Sequence, residues 1–139
     1  MPTSMRAFAK NLKGLAEGLE DHAGRVVEEV SERVHGALVL GTPVKTGNAR
    51  SNWLVGVGAP RSGTVPIRSE VETIIEGQSE IRGRVVGDTE VNITNDVHYV
   101  SILNTGTSKQ APRGFVEKAV LIGVQVAVTA WAKRGFWKV

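Results

Sequence analysis

Residues 8 to 38 carry a single apolar stripe: Phe8, Leu12, Leu15, Leu19, Ala23, Val26, Val30, Val34 and Leu38 recur at steps of three and four. That period puts every one of them on one face of an α-helix. Asp21–Arg25 and Glu29–Arg33 add i,i+4 pairs on the polar side in the favourable orientation. Gly41 followed by Thr42-Pro43 stops the helix, glycine after the last turn and proline just beyond. Four interior glycines (Gly14, Gly18, Gly24, Gly36) each cost about 1 kcal/mol against alanine and leave room for a break near Gly24. Unbroken, about 35 residues at ~1.5 Å each make a rod of ~50 Å. The whole chain has 139 residues, and a compact domain of that length has a diameter under ~40 Å. The helix therefore overhangs its own domain, and part of its stripe wants a partner.

The middle of the chain reads as mixed structure. Trp53 to Val57 is a short apolar strand, and Ala59 to Arg68, with Pro60, Gly63 and Pro66, is a loop. Ser69 with Glu72 three residues later is a capping box opening a helix to Ile81. Val71, Ile74, Ile75, Gln78 and Ile81 mark the expected inner side of that helix. After a turn at Gly87-Asp88, Val91 and Ile93 alternate with polar neighbours as a half-buried strand that Asn95-Asp96 ends. Val97 to Leu103 makes a short helical turn with Tyr99 inward. Ala111-Pro112 opens a last helix from about Arg113 to Lys133. Val116, Val120, Leu121, Ile122, Val124, Val126, Val128 and Trp131 cannot share one face, so this helix is expected to be buried on more than one side.

The fold expected is α+β: a long N-terminal helix and a C-terminal helix packed on a small antiparallel β-sheet, with a short middle helix. It is one domain with no internal repeat: long helix 1–41, sheet with inserted helix 42–111, C-terminal helix 112–133 and tail 134–139.

Composition removes several function classes. There is no cysteine, hence no disulfide, thiolate metal site or cysteine nucleophile. His22, His35 and His98 lie in no metal-ligand spacing, and no cofactor or metal is expected. Aromatics at 5% are too few for a base-stacking platform. The net charge of +3 is spread along the chain. The most apolar run, Ala119 to Ala132, is shorter than the roughly 20 residues that span a bilayer. Met1 to Lys13 has no apolar run of signal-peptide type. A protein kept in a reducing cytoplasm, with no membrane contact, is the expectation.

No catalytic set emerges either. Gly41 to Gly47 fails as a phosphate-binding loop, because five residues separate the glycines and Asn48 stands where lysine belongs. Ser108 has no nucleophile-elbow glycines around it, and His98 reads as an ordinary surface side chain. Glu70, Glu72, Glu76 and Glu80 fall at helical spacing and read as a solvated row. The end of the chain joins Lys133 and Arg134 to Phe136 and Trp137, a tail suited to docking in a neighbour's apolar groove or to touching phosphates.

Two stretches carry a resemblance. Thr42-Pro43-Val44-Lys45-Thr46-Gly47-Asn48-Ala49-Arg50-Ser51-Asn52-Trp53, directly after a long amphipathic helix, resembles the entry motif of tailed-phage neck and tail-completion proteins. Ile93-Thr94-Asn95, Tyr99, then Asn104-Thr105-Gly106-Thr107-Ser108-Lys109-Gln110-Ala111-Pro112-Arg113-Gly114-Phe115 is similar to that family's second signature. Asn104 stands where a glutamate is usual, and Thr107 where an aromatic often sits.

The resemblance implies a non-enzymatic virion protein of long-tailed phages, assembled in the host cytoplasm and placed where head and tail join. It implies a homo-oligomeric ring, hexameric by the sixfold tail, around the DNA channel. Its partners would be a head-closure (connector) protein and a tail terminator or tail tube protein, with non-specific contact to channel DNA. For the matching positions, Pro43 and Gly47 would fix the reversal after the long helix, with Thr46 bonding backbone groups in the turn. Arg50 and Trp53 complete that motif, Trp53 as the anchor of sheet to helices. Asn95 would close the second strand, and Tyr99 would pack beneath the Gly106 loop. Ser108, Lys109 and Gln110 would satisfy the exposed N–H groups that open the last helix, and Ala111, Pro112 and Phe115 complete the motif. These residues serve either the fold alone or the subunit interface as well. The alternative reading is a nucleic-acid-binding module built on the basic tail.

Overall fold

The computed structural model describes residues 5–44, 47–86, 89–105 and 113–134. Its elements are α1 (Met5–Gly41), α2 (Asn48–Ser51), β1 (Leu54–Val57), α3 (Glu70–Ile81), β2 (Val91–Thr94), α4 (Val100–Asn104) and α5 (Phe115–Arg134). This is the α+β arrangement of the sequence reading, rich in helix. The strands β1 and β2 pair antiparallel, Leu54 opposite Thr94 and Val57 opposite Val91. A two-stranded ribbon is marginal by itself in water. Here Val55 packs with Ile81 of α3 and Val85, while Val27 of α1 and Ile93 close over them.

α1 runs 37 residues without a break, Gly24 included. Gly24 is buried, and tertiary packing outweighs the weak helix propensity of glycine. At ~1.5 Å per residue the helix measures ~55 Å, so the expected overhang is present. Among the stripe residues whose side chains are described, Val34 and Leu38 are buried, joined by His35 and Val39, while Val26 and Val30 are half-buried. Leu12 stands in solvent.

α5 lies antiparallel on the C-terminal part of α1. Ala119 meets Gly41, and Gly123 meets Val34. The main core gathers Val34, Leu38 and Val39 of α1, Ala49 and Trp53, Val97, Val100 and Leu103 around α4, and Phe115 and Ala119 of α5.

Two expectations about helix faces are corrected. On α3 the buried residues are Thr73, Gly77 and Ile81, while Val71 and Ile75 are 63% and 55% exposed. The reason is the His35 ring: a β-carbon on Gly77 would stand 2.3 Å from it, so only the glycine side of α3 can approach α1. On α5 the expected burial on several sides is not found among the described side chains, from which that of Trp131 is left out. The buried ones are Phe115, Ala119, Gly123 and Ala127, one narrow stripe at steps of four. Small side chains bring two helices closest, and closeness selects this stripe over the valines.

The glutamate row of α3 is not simply solvated. Glu70 pairs with Arg50, Glu76 with Arg61 and Arg68, and Glu80 with Arg84. Ser69 caps the helix as its spacing predicts, its Oγ accepting from the Glu72 N–H at 3.1 Å. Glu29–Arg33 forms the expected i,i+4 pair at 3.5 Å. Gly87-Asp88 lies outside the described residues.

Candidate assembly surface and the motif that positions it

The turn after α1 is built on Thr42. Its Oγ1 donates to the Leu38 carbonyl at 2.6 Å, which closes the last turn of α1, and accepts the Trp53 Nε1–H at 2.7 Å. The Trp53 carbonyl in turn accepts from His35 Nε2 at 2.8 Å. Trp53 thus ties the start of β1 to Thr42, eleven residues back, through its indole, and to His35 of α1, eighteen back, through its carbonyl. Gly47 holds φ at 84°, a left-handed conformation that glycine adopts without strain. α2 follows at once, and Ser51 at its end and Asn52 just beyond it are fully buried. Ser51 Oγ donates to Gly47 O at 2.7 Å and accepts from Arg68 N at 3.0 Å. Asn52 Oδ1 accepts from Val65 N at 2.6 Å. Between them they pin the loop after β1, and Gly56 lets that loop fold back so closely that a β-carbon would stand 2.1 Å from Ala59 O.

His35 lies sealed at the junction of α1, α3 and β1. Its Nε2 must carry the proton, since a carbonyl faces it. Nδ1 is buried with no partner. Burial holds the imidazole below its ordinary pKa, the bond to Trp53 works against that, and the charge of Arg68 adds to it. Arg68 is itself lowered, by burial and then by Arg61, with Glu72 opposing.

The second motif segment is equally local in its bonding. Asn95 Nδ2 donates to Ala49 O at 2.8 Å, joining the end of β2 to α2, and its Oδ1 accepts from Val97 N at 3.1 Å. Tyr99 is half-buried against the main core. Asn104 holds the start of α5: its Oδ1 accepts from Val116 N at 2.9 Å, its Nδ2 donates to the Glu117 carboxylate at 3.0 Å, and its carbonyl accepts from Gly114 N at 2.8 Å. A glutamate at this position could accept in the same way but would meet Glu117 as a like charge.

This scaffold presents a trough and a ridge. The trough runs between α1, α3 and α5 and encloses about 540 Å³. Gly36, Leu40, Ile74, Ile122 and Val126 line it, with Glu32, Arg33 and Lys118 along its edge. The ridge is the outer side of α5: Val120, Leu121, Val124 and Val128. Leu121 is 67% exposed, and Ile122 in the trough 53%. Between Ala119 and Ala132 the helix carries no charged residue. A second, shallower cleft of about 390 Å³ gathers Asn95, Asp96, His98, Ser101 and Asn104. Asp96 there accepts from Gly63 N at 2.6 Å, and His98 stands edge-on to Tyr99 at 5.4 Å. Among the described residues no group of three or more His, Asp or Glu could hold a metal ion, and no helix is long and apolar enough to cross a membrane.

A family model described as "Bacteriophage HK97-gp10, putative tail-component" matches residues 6–106. The chain belongs to the HK97-gp10-like family. No curated protein and no solved structure matches it. Membership makes the chain a structural component of a phage tail and places it in the virion.

The HK97-gp10-like match takes in α1 through α4, and with them Thr42, Pro43, Gly47, Arg50, Trp53, Asn95 and Tyr99. The structure brings the first-motif residues and Asn95 together around α2, and sets Tyr99 and Phe115 in or against the same core. Thr46, Gly106 to Pro112, Phe136 and Trp137 lie outside the described residues; Lys133 is exposed at the end of α5. Sequence reasoning missed His35, Asn52 and Asn104. Only the departure at Asn104 from the family's usual glutamate carried a signal. α5, with its bare apolar sides, lies beyond the matched residues.

Proposed function

We propose that this protein is a non-enzymatic joining component of the phage neck. Copies stand side by side as a ring, hexameric to match the tail's sixfold symmetry, around the channel that DNA passes through. The ring stacks between a head-closure protein and a tail terminator or tail tube protein, and it works by shape.

The observation that carries this reading is α5. A helix that is apolar on nearly every side keeps Leu121, Ile122, Val126 and Val128 in water in a single copy. Soluble monomers rarely leave so much apolar surface of one helix uncovered, and a neighbouring protein surface is its usual cover. Tail membership supplies the setting, since tail components are built by repeated contact between copies and layers.

Negative-stain images and sedimentation of the purified protein test the ring directly: closed rings of uniform symmetry are expected, alone or on addition of the neck partner. Particles made without the protein should carry separated heads and tails. Normal tails on such particles, with full infectivity, would refute the assignment.

A further inference from the structure

We propose that the ring contact is made between two different sides of one helix: the ridge of α5 in one copy seats in the α1–α3–α5 trough of the next. This rests on the ring reading and goes further, naming the surfaces.

The two sides are suited to each other. At 100° per residue, the ridge (Val120, Leu121, Val124, Val128) and the trough side (Ile122, Val126) point about 160° apart around α5. A copy therefore shows one to each neighbour. The ridge runs from Val120 to Val128, ~12 Å along the axis, and the α5 wall of the trough from Phe115 to Val126, ~16 Å, is long enough to take it. Seating takes Leu121, 67% exposed, and the exposed Val120, Val124 and Val128 out of water together with Leu40, Ile122 and Val126 of the trough.

Charge favours the same pairing. No ionised group from Ala119 to Ala132 has to be stripped of water. Two charges on the trough edge are already engaged, Glu32 with Arg82 at 2.8 Å and Arg33 with Glu29 at 3.5 Å. A contact between unlike patches is head-to-tail, which is the kind that closes into rings. A partner of another sequence needs one such surface only; each copy here carries both halves.

The experiment uses Leu121→Glu on the ridge and Leu40→Glu in the trough, both at exposed positions, so the fold should be unchanged by circular dichroism. Each variant alone should lose assembly, its half-assembly concentration rising more than about tenfold, as for a charge placed in an apolar contact. Mixed together they should give two-copy complexes and nothing larger, because only one intact ridge and one intact trough remain. The chain has no cysteine, so Leu121→Cys and Leu40→Cys can be crosslinked without background. A covalent product is expected from the mixture and not from either variant alone. Rings that survive Leu121→Glu, a mixture that restores nothing, or Leu121→Cys copies that crosslink to each other would overturn the pairing and leave the ring standing. Unmodified protein that stays single-copy beside its neck partners would remove both.

Discussion

Gly123 of α5 lies directly on the backbone of α1 at Val34: a β-carbon there would stand 2.5 Å from Val34 Cα and 2.7 Å from its nitrogen. Neither atom can move without moving a helix. This contact sets how near α5 comes to α1, and so sets both the depth of the trough and the height of the ridge.

Gly123→Ala should therefore destabilise the protein by about 1–3 kcal/mol, overpacking outweighing the better helix propensity of alanine. Gly14→Ala offers the contrast, since nothing lies within 4 Å of its added methyl. It should stabilise by up to about 1 kcal/mol. Urea unfolding of the two variants checks both signs.

His35 predicts a pH dependence. Its folded pKa lies below the unfolded value of 6.5, so the unfolded chain binds the proton first. The stability this group contributes is complete above pH 6.5 and is lost as pH falls below it, toward the folded pKa. The slope reaches at most about 1.4 kcal/mol per pH unit. His35→Gln keeps a side-chain N–H donor for the Trp53 carbonyl and removes the titration. Melting temperatures between pH 5 and 7 should fall for the natural protein and stay nearly level for the variant. Equal slopes would disprove the role.

Thr42 and Trp53 should act as one unit. Thr42→Val removes an acceptor for a buried indole N–H and should cost about 1–2 kcal/mol, while Thr42→Ser costs less. Trp53→Phe leaves the Thr42 hydroxyl without its donor. In a double-mutant cycle the two losses should fall short of additive by about 1 kcal/mol; strict additivity would mean the bond contributes nothing.

Asn104→Asp keeps the acceptor for Val116 N and loses the donor to Glu117, putting two carboxylates together. A loss of about 1–2 kcal/mol at pH 7 is expected. Adding Glu117→Gln should restore most of it. If the second substitution restores nothing, Asn104 does not act through Glu117.

Much of this molecule was readable along the chain. The period of α1, the Ser69 cap, the Gly47 reversal and the two short strands all rest on residues within a few positions of each other. What stayed hidden was which side of a helix faces in. Val71 and Ile75 looked like core on α3, and the valines looked like core on α5, because hydrophobicity ranks side chains one at a time.

The amino-acid sequence by itself determined the three long helices and the two strands to within a few residues, though not the short α2, together with the excess of apolar helix surface and the family motifs. Only the tertiary structure decided that Gly77 and Gly123 take the inner faces, that Thr42, Trp53 and His35 meet, and that α5 keeps Leu121, Ile122 and the valines from Val120 to Val128 outside. The physical reason is distance of approach. Two helices settle where their smallest side chains let the backbones come closest, and that choice depends on the partner surface, which no local window of sequence contains.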